Sequence, residues 1–481
     1  MASTISKSFV SREVERFLLK CIPTSPWNGK VYSVGGSVRD TQLGLPSDDV
    51  DLVIEEEGGA ERLAAWIHKL DAEAISRPHH LGAGYPIWQL SFLKDVHWGG
   101  EFFPIAGHEI EIADTQAECF PDPKTRQRIT VPGNLAQDCA RRDFTVNMLY
   151  RNLSTGEILD PSGRGLSDIQ SGVLRGHPDV DLKKIFSDDP LRMVRLVRFQ
   201  TRFGWTIPGD VRDCVAVSAS RVSILSAERI RSELDKIIAM EKLADALELF
   251  LSLGLLKELF PELMPMVGCG QDRVYHSEGD VWVHTLRVIR NSPPTPALQL
   301  AALLHDIGKP PTRSEHGERV KFLGHESISA ELSESFMARL KWPKELREKV
   351  VKLVRLHLRG GDVSAWTGLK PARKLLRDAG EELEDLLSLI EADSKSSLGA
   401  DGNPRLEHLP VLREKLQAAQ LIPLRRKPLL DGHVLMKEVG LMGPQIKEAQ
   451  AYLMELEDNW AERGEVLEPE SALRALKDKF N

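Results

Sequence analysis

The chain has 481 residues, 42% hydrophobic and 28% charged, with a net charge of −8. That balance suits a globular protein with sizeable cores and argues against bulk, non-specific binding of nucleic acid, while leaving room for a local basic track. No apolar run approaches a membrane span, Glu13 and Glu15 interrupt the place of a secretory core, and the five cysteines (Cys21, Cys119, Cys139, Cys214 and Cys269) form no zinc-like pair; these features predict free thiols, a reducing cytoplasm and no membrane partner.

Length alone suggests about three domains. A leading helix is expected over Ser11–Lys20, and then a short strand over Val31–Val34. Gly35-Gly36 follows, and Ser37 opens a segment with Val38, Leu43 and Leu45 at roughly helical spacing, stopped by Gly44-Leu45-Pro46. A strand, a glycine turn and a helix start leave backbone N–H groups converging on one point, which suits a phosphate chain. A second strand is predicted over Val50–Ile54. Asp49 and Asp51, two apart on an extended chain, share a face. Two hard carboxylates beside an anion-holding turn are what Mg²⁺-dependent phosphoryl or nucleotidyl transfer requires. A lone Asp-x-Asp is more often a solvated acidic turn, but Gly-Gly-x-x-Arg-Asp just upstream makes the joint pattern far rarer.

After Gly58-Gly59, an amphipathic helix is predicted around Ala60–Leu70, followed by strands in Pro86–Phe92 and His108–Ile112 separated by a loop through Trp98-Gly99-Gly100. Alternation puts Glu109 and Glu111 on one face and Ile110 and Ile112 on the other. This pattern fits either a half-exposed edge strand or a strand that supplies a further metal-binding acid. Arg141-Arg142-Asp143-Phe144-Thr145-Val146-Asn147 places two adjacent guanidinium groups where they suit triphosphate oxygens. In the same stretch Asp143 can accept from a ribose 2′-hydroxyl, and Asn147 can steady the loop.

The turn Leu159–Gly165 leads into a remainder read as all-helical. In Ser187–Phe199, Pro190 fits a first helical turn and Asp188/Asp189 its cap. Arg195, Arg198 and Arg202 extend a basic stripe suited to phosphates. Ser226–Arg231 reads as an N-cap with a buried ion pair. Downstream, His284, His305-Asp306, His325, His357 and Asp393 form a separate set of metal-ligand type, His325 and His357 being suited to a second metal and Lys309 to a phosphate. Residues 395–481 read as helical, with a basic run Arg425-Arg426-Lys427-Pro428 whose simplest reading is a solvated face.

These motifs carry a family resemblance. Gly35-Gly36-Ser37-Val38-Arg39-Asp40, Leu43-Gly44 and Asp49-Val50-Asp51 resemble the first signature of the class II tRNA nucleotidyltransferases and bacterial poly(A) polymerases. Arg141–Asn147 resembles the second, with Met148 where alanine is usual. Asp188-Asp189-x-x-Arg192 is similar to the Glu-Asp-x-x-Arg element that reads the incoming base. The His-Asp set resembles the HD phosphohydrolase superfamily, a domain that several bacterial members carry after the neck.

The resemblance implies an α+β fold: a polymerase β-like nucleotidyltransferase head on a mixed sheet, an all-α neck, an HD-like helical domain and a helical tail, over 1–155, 156–240, 241–395 and 396–481. It implies template-independent addition of CMP and AMP from CTP and ATP to the tRNA 3′ end. Asp49, Asp51 and Glu111 would hold two Mg²⁺, and Gly35, Gly36, Arg39 and Arg142 the phosphates. Asp143 and Asn147 would serve the ribose, Asp189 and Arg192 the base, and Arg195 the nucleotide. His284, His305, Asp306 and Asp393 would form the HD site for a divalent transition metal, with His325 and His357 for a second. The Gly-Arg-Arg-Phe-like element of the poly(A) polymerases is missing upstream of the Glu-rich strand, which favours tRNA end synthesis or repair. Addition of CC alone or A alone, poly(A) synthesis, and HD phosphohydrolysis of cyclic phosphates or RNA 3′ ends are the alternatives.

Overall fold

The computed structural model describes residues 7–47, 49–81, 87–119, 129–272, 274–317, 319–361, 363–425 and 427–480; Pro86 and Arg426 of the segments above lie outside them. Two compact units emerge, Met1–Leu225 with Ser252–Leu255, and Ser226–Leu251 with Leu256–Asn481. The first unit runs α1 (Lys7–Cys21), β1 (Val31–Val34), α2 (Gly36–Gln42), β2 (Val50–Ile54), α3 (Gly59–Leu70), β3 (His79–Leu81), β4 (Ile87–Ser91), β5 (Val96–Trp98), β6 (Glu101–Phe103) and β7 (Glu109–Asp114). It continues with β8 (Gln116–Cys119), β9 (Ile129–Pro132), α4 (Leu135–Ala140), β10 (Tyr150–Asn152), β11 (Ile158–Leu159), α5 (Gly165–Ser171), α6 (Leu182–Asp188) and α7 (Leu191–Phe203).

Seven strands form one sheet in the order β11-β10-β1-β2-β7-β4-β3. Only the β2–β7 pair is parallel, so the sheet is mixed. Strand alternation decides its two faces. Val31, Leu52, Ile54, Ile110 and Ile112 pack with Val14, Phe17 and Leu18 of α1 and Leu63 and Ile67 of α3. Each such buried side chain contributes roughly 1.5–3 kcal/mol. Tyr32, Val34, Val53, Met148 and Tyr150 pack on the opposite face, and Asp51, between Val50 and Leu52, points to that side. The apolar face thus anchors the sheet and leaves the other free to carry polar chemistry.

Three local expectations change. Trp98-Gly99-Gly100 is not loop: Trp98 ends β5, and Gly99 and Gly100, at φ +59° and +80°, make the turn of the β5–β6 hairpin. The hairpin is held because Phe17 meets Trp98 and Phe103 edge-on at 6.4 and 5.4 Å. Second, β7 lies between β2 and β4, so the edge-strand reading is replaced by an interior one. Third, α1 extends beyond the expected Ser11–Lys20 at both ends.

Among the described residues the named elements of the second unit are helical except for a hairpin, Arg313–His316 with Arg319–Phe322, where an all-helical chain was expected. Ser226 caps the Ala227–Ala239 helix as read, but the ion pair there is exposed: Glu228 meets Lys341 on the surface. Near the C-terminus, Leu430, Leu435, Leu453, Leu467 and Leu476 form a small core. Buried Arg373 and partly exposed Arg377 clasp Asp458. Among the described residues no helix is long and apolar enough to cross a membrane. Cys21, Cys139, Cys214 and Cys269 are free and buried.

Candidate functional site

Register brings the head carboxylates together. Asp51 and Glu111 are direct partners in the parallel β2–β7 ladder, and Asp49 stands just ahead of β2. Glu109, which shares a face of β7 with Glu111, is occupied: it accepts from Gln89 Nε2 at 3.1 Å and Ser91 Oγ at 3.0 Å. Glu111 has no hydrogen bond or ion pair among the described residues. Asp51 keeps solvent access, yet protein crowds its carboxyl; that desolvation, with Glu111 and Asp49 nearby, pushes it up to about 6. Burial and the Asp49 and Glu109 charges likewise raise Glu111. Like charges held together on hard oxygens, offset only in part by Arg142, fit Mg²⁺.

Gly35 stands at the head of α2 with φ +71°, a conformation that a side chain disfavours. A Cβ there would lie 3.4 Å from Arg142 Nη1, so the turn also lets the chain pass close to that guanidinium. Arg142 is itself anchored. Its Nε and Nη2 donate to Asp138 Oδ2 at 3.1 and 2.9 Å, its Nε also reaches Tyr150 Oη at 3.0 Å, and Tyr150 Oη donates to Asp138 Oδ2 at 2.8 Å. Arg141 takes Asp138 Oδ1 at 2.6 Å. Burial alone would raise the Asp138 carboxyl, but the two arginines hold it down at about 2. Motif reading missed Asp138, although its spacing of three and four from the two arginines, on α4 and its C-terminal turn, was the available cue.

A second polar chain joins the motifs. Arg39 donates to Asp40 Oδ1 at 2.8 Å and to Asn147 Oδ1 at 2.5 Å; Asn147 Nδ2 donates to Asp143 Oδ1 at 3.0 Å. Asp143 Oδ2 receives Arg195 Nε at 2.8 Å, and Asp40 Oδ2 receives Arg202 Nη2 at 2.9 Å. Burial opposes the Asp143 charge, but Arg195 and Asn147 keep its carboxyl well below the usual range. The stripe expected to face phosphates therefore has two of its members, Arg195 and Arg202, turned onto carboxylates, because these charges are closer and already desolvated.

Arg192 is buried and donates to Ile185 O at 2.9 Å and to Arg141 O, tying α7 to the arginine loop. Asp189 is not on the helical face with Arg192: it lies in extended backbone before Pro190, and its Oδ1 accepts from Leu191 N at 3.2 Å, the capping role. Asp188 ends α6 and pairs with Lys184.

In the second unit the histidines converge. Asp306 Oδ2 lies 3.1 Å from His305 Nε2 and 3.7 Å from His284 Nε2, while its Oδ1 lies 3.2 and 3.9 Å from His325 and His357 Nε2. His284 Nε2 also approaches Asp393 Oδ1 at 3.0 Å, off the line that a hydrogen bond needs. Two groups of metal-ligand type result, His284 with His305 and Asp393, and Asp306 with His325 and His357. All four Nε2 atoms are buried without a hydrogen bond.

The reason lies at the other nitrogen. Nδ1 of His305, His325 and His357 donates to the carbonyl three residues back (Ala302, Phe322 and Val354) at 2.8, 2.8 and 2.6 Å. That bond leaves each Nε2 as a lone pair aimed inward. Orphaned, inward lone pairs with carboxylates fit a divalent transition metal. Lys309 Nζ also enters, at 2.7 Å from Asp306 Oδ2 and Gln271 Oε1. Glu278 and His276, absent from the sequence reading, adjoin His284.

Residues 31–175 match the model of the poly A polymerase head domain, 204–266 the probable RNA and SrmB-binding site of polymerase A, and 284–427 the HD domain. The chain is 30% identical over 406 residues to the multifunctional CCA protein of Methylobacillus flagellatus, covering 82% of this chain and 90% of that protein. It is 29% identical over 450 residues to the A-adding tRNA nucleotidyltransferase of Deinococcus radiodurans, covering 90% and 92%. In fold it is similar to the Bacillus stearothermophilus CCA-adding enzyme solved with CTP, at a TM-score of 0.60 and 21% identity over 99% of this chain and 98% of that one. With head signatures, helical continuation and HD centre all in place, the chain belongs to the tRNA nucleotidyltransferase and poly(A) polymerase family, in its HD-bearing form.

Proposed function

We propose that the protein adds CMP and AMP, from CTP and ATP, to the 3′ end of tRNA without a nucleic-acid template. The observation that carries this reading is the in-register pairing of Asp51 with Glu111 behind Asp49, in the unit where Arg142 is braced by Asp138. The 3′-hydroxyl oxygen bonds to the α-phosphorus as the α–β bridging P–O bond breaks and pyrophosphate leaves. Asp49, Asp51 and Glu111 would hold two Mg²⁺. When bound, these ions supply Lewis-acid stabilisation of the charge on the phosphates and on the attacking oxygen. Gly35 and Gly36 let the triphosphate approach the backbone, and Arg142 pairs with its oxygens. Arg39 holds the loop through Asn147. Asp143, held by Arg195 on Oδ2 and by Asn147 and the Phe144 N–H on Oδ1, would offer a remaining lone pair to the ribose 2′-hydroxyl. Arg192 spends two of its donors on backbone carbonyls and keeps others for the base edge, with Asp189 as the neighbouring acceptor.

In functional terms we divide the chain as head (1–155), neck (156–240), HD-like domain (241–395) and tRNA-binding tail (396–481), and assign the protein to the cytoplasm. The HD-like domain would hold a divalent transition metal and hydrolyse phosphate esters or cyclic phosphates of RNA ends. The likeness to an A-adding relative gives a second reading, addition of the terminal A alone.

Three tRNA transcripts, ending at the discriminator base, at C and at CC, test this with CTP, ATP or both. Growth of all three to CCA supports the proposal. Extension of the CC-ended transcript by A alone selects the second reading, and no extension of any overturns both.

A further inference from the structure

The HD histidines are not held alike. His305 and His357 terminate helices and His325 begins one, so a carbonyl three residues back is free to take each Nδ1–H. His284 is the fourth residue of the Val281–Asn291 helix, where the equivalent carbonyl belongs to the helix ladder. Its Nδ1 turns instead to Glu278 Oε1 at 2.9 Å. The same oxygen receives His276 Nδ1 at 2.8 Å, and Oε2 receives Leu398 N at 2.9 Å, so the carboxylate is fully engaged and its side chain buried. Three donors compensate the burial of its two oxygens.

Charge then separates the two ligand groups. The His284, His305 and Asp393 group has two carboxylates, Asp393 inside and Glu278 behind. The Asp306, His325 and His357 group has one, Asp306, whose Oδ1 faces His325 while its Oδ2, between the two groups, is held by Lys309 at 2.7 Å. We propose that Glu278 is a positioning residue that orients His284 and makes the His284–His305–Asp393 group the tighter of two divalent-cation positions. The proposal rests on the reading of this centre as a metal site. An anionic partner on Nδ1 both fixes the ring and raises the basicity of Nε2, and loss of such a partner costs 10–100-fold in affinity.

The test titrates metal-stripped, full-length protein with Co²⁺, read by calorimetry and by the visible Co²⁺ spectrum, beside Glu278→Gln and His325→Ala. Glu278→Gln keeps the shape and removes the charge. The wild type is expected to load in two steps. Glu278→Gln should weaken the tighter step 10–100-fold and leave the weaker one in place, and His325→Ala should do the reverse. A circular dichroism spectrum and a thermal midpoint of the metal-free protein that match the wild type certify the fold of each variant. Equal weakening of both steps by Glu278→Gln, or no change, overturns the proposal while leaving the metal site standing. A wild type that binds no Co²⁺ overturns the metal-site reading and the proposal together.

Discussion

Arg142 and Asp138 are locked together inside the head: Nη2 and Nε both donate to Oδ2, at 2.9 and 3.1 Å, and the carboxylate is fully buried. Arg142 is therefore held in one orientation, and the charge that orients it has left water. Removing one partner of such a pair strands the other.

Asp138→Asn is expected to destabilise the protein by roughly 3 kcal/mol at pH 7 and to raise KM for both nucleotides more than it lowers kcat. The pH dependence follows from the sign of the shift. A carboxyl depressed to about 2 in the folded state contributes its stability above the unfolded value, near 3.8, and loses it as pH falls through the folded value. Denaturant melts should show a constant gap between wild type and variant from pH 7 to 5, narrowing only between about 4 and 2. A gap that closes near pH 6 would contradict the assignment.

Asp51→Asn should reduce nucleotide transfer by about 10³-fold or more, since the lost charge stabilises a multiply charged transition state. Binding of tRNA should persist, as measured by filter retention. Glu111→Gln should resemble it, and Glu109→Gln should not, because Glu109 is engaged by Gln89 and Ser91. Equal effects at Glu109 and Glu111 would reassign the third acid.

Gly35→Ala puts a side chain at φ +71°, which costs about 1–2 kcal/mol, and brings a methyl against Arg142 Nη1. The expected outcome is a kcat/KM for CTP lower by about 10-fold, with the circular dichroism spectrum retained. An unaffected kcat/KM would separate the turn from the phosphate site.

Arg202 touches no proposed substrate atom, but it closes the chain Arg202–Asp40–Arg39–Asn147–Asp143 that links α7 to α2 and the arginine loop. Arg202→Ala should loosen the C-terminal end of α7, whose first turn carries Arg192, proposed to read the base. Discrimination of CTP against UTP should fall by about 5-fold, for a charge-assisted bond of about 1 kcal/mol net, with partial recovery in Arg202→Lys. Loss of kcat with unchanged discrimination would make Arg202 merely a packing residue.

Much of this was legible in one dimension because its causes are local. The Val31–Val34 and Val50–Ile54 strands, the glycine break at residues 35–36 and the Ser226 cap depend on side-chain period and on backbone freedom within a few residues. The motifs Gly35–Asp51, Arg141–Asn147 and His305-Asp306 suggest their chemistry by residue type and spacing, which needs no knowledge of what lies distant in the chain.

What the tertiary structure decided is how each charge is spent. The sequence shows five basic or acidic residues at Arg195, Arg202, Asp40, Asp143 and Asp138, but not that they pair internally instead of facing phosphates. Nor does it show that Glu109 is tied while Glu111 is left open, or that Glu278 stands behind His284. Trp98 belongs to a hairpin only because Phe17 lies beneath it. Desolvation explains the difference: a buried charge must find a partner, and that partner is set by proximity in the folded chain, which one-dimensional spacing does not encode.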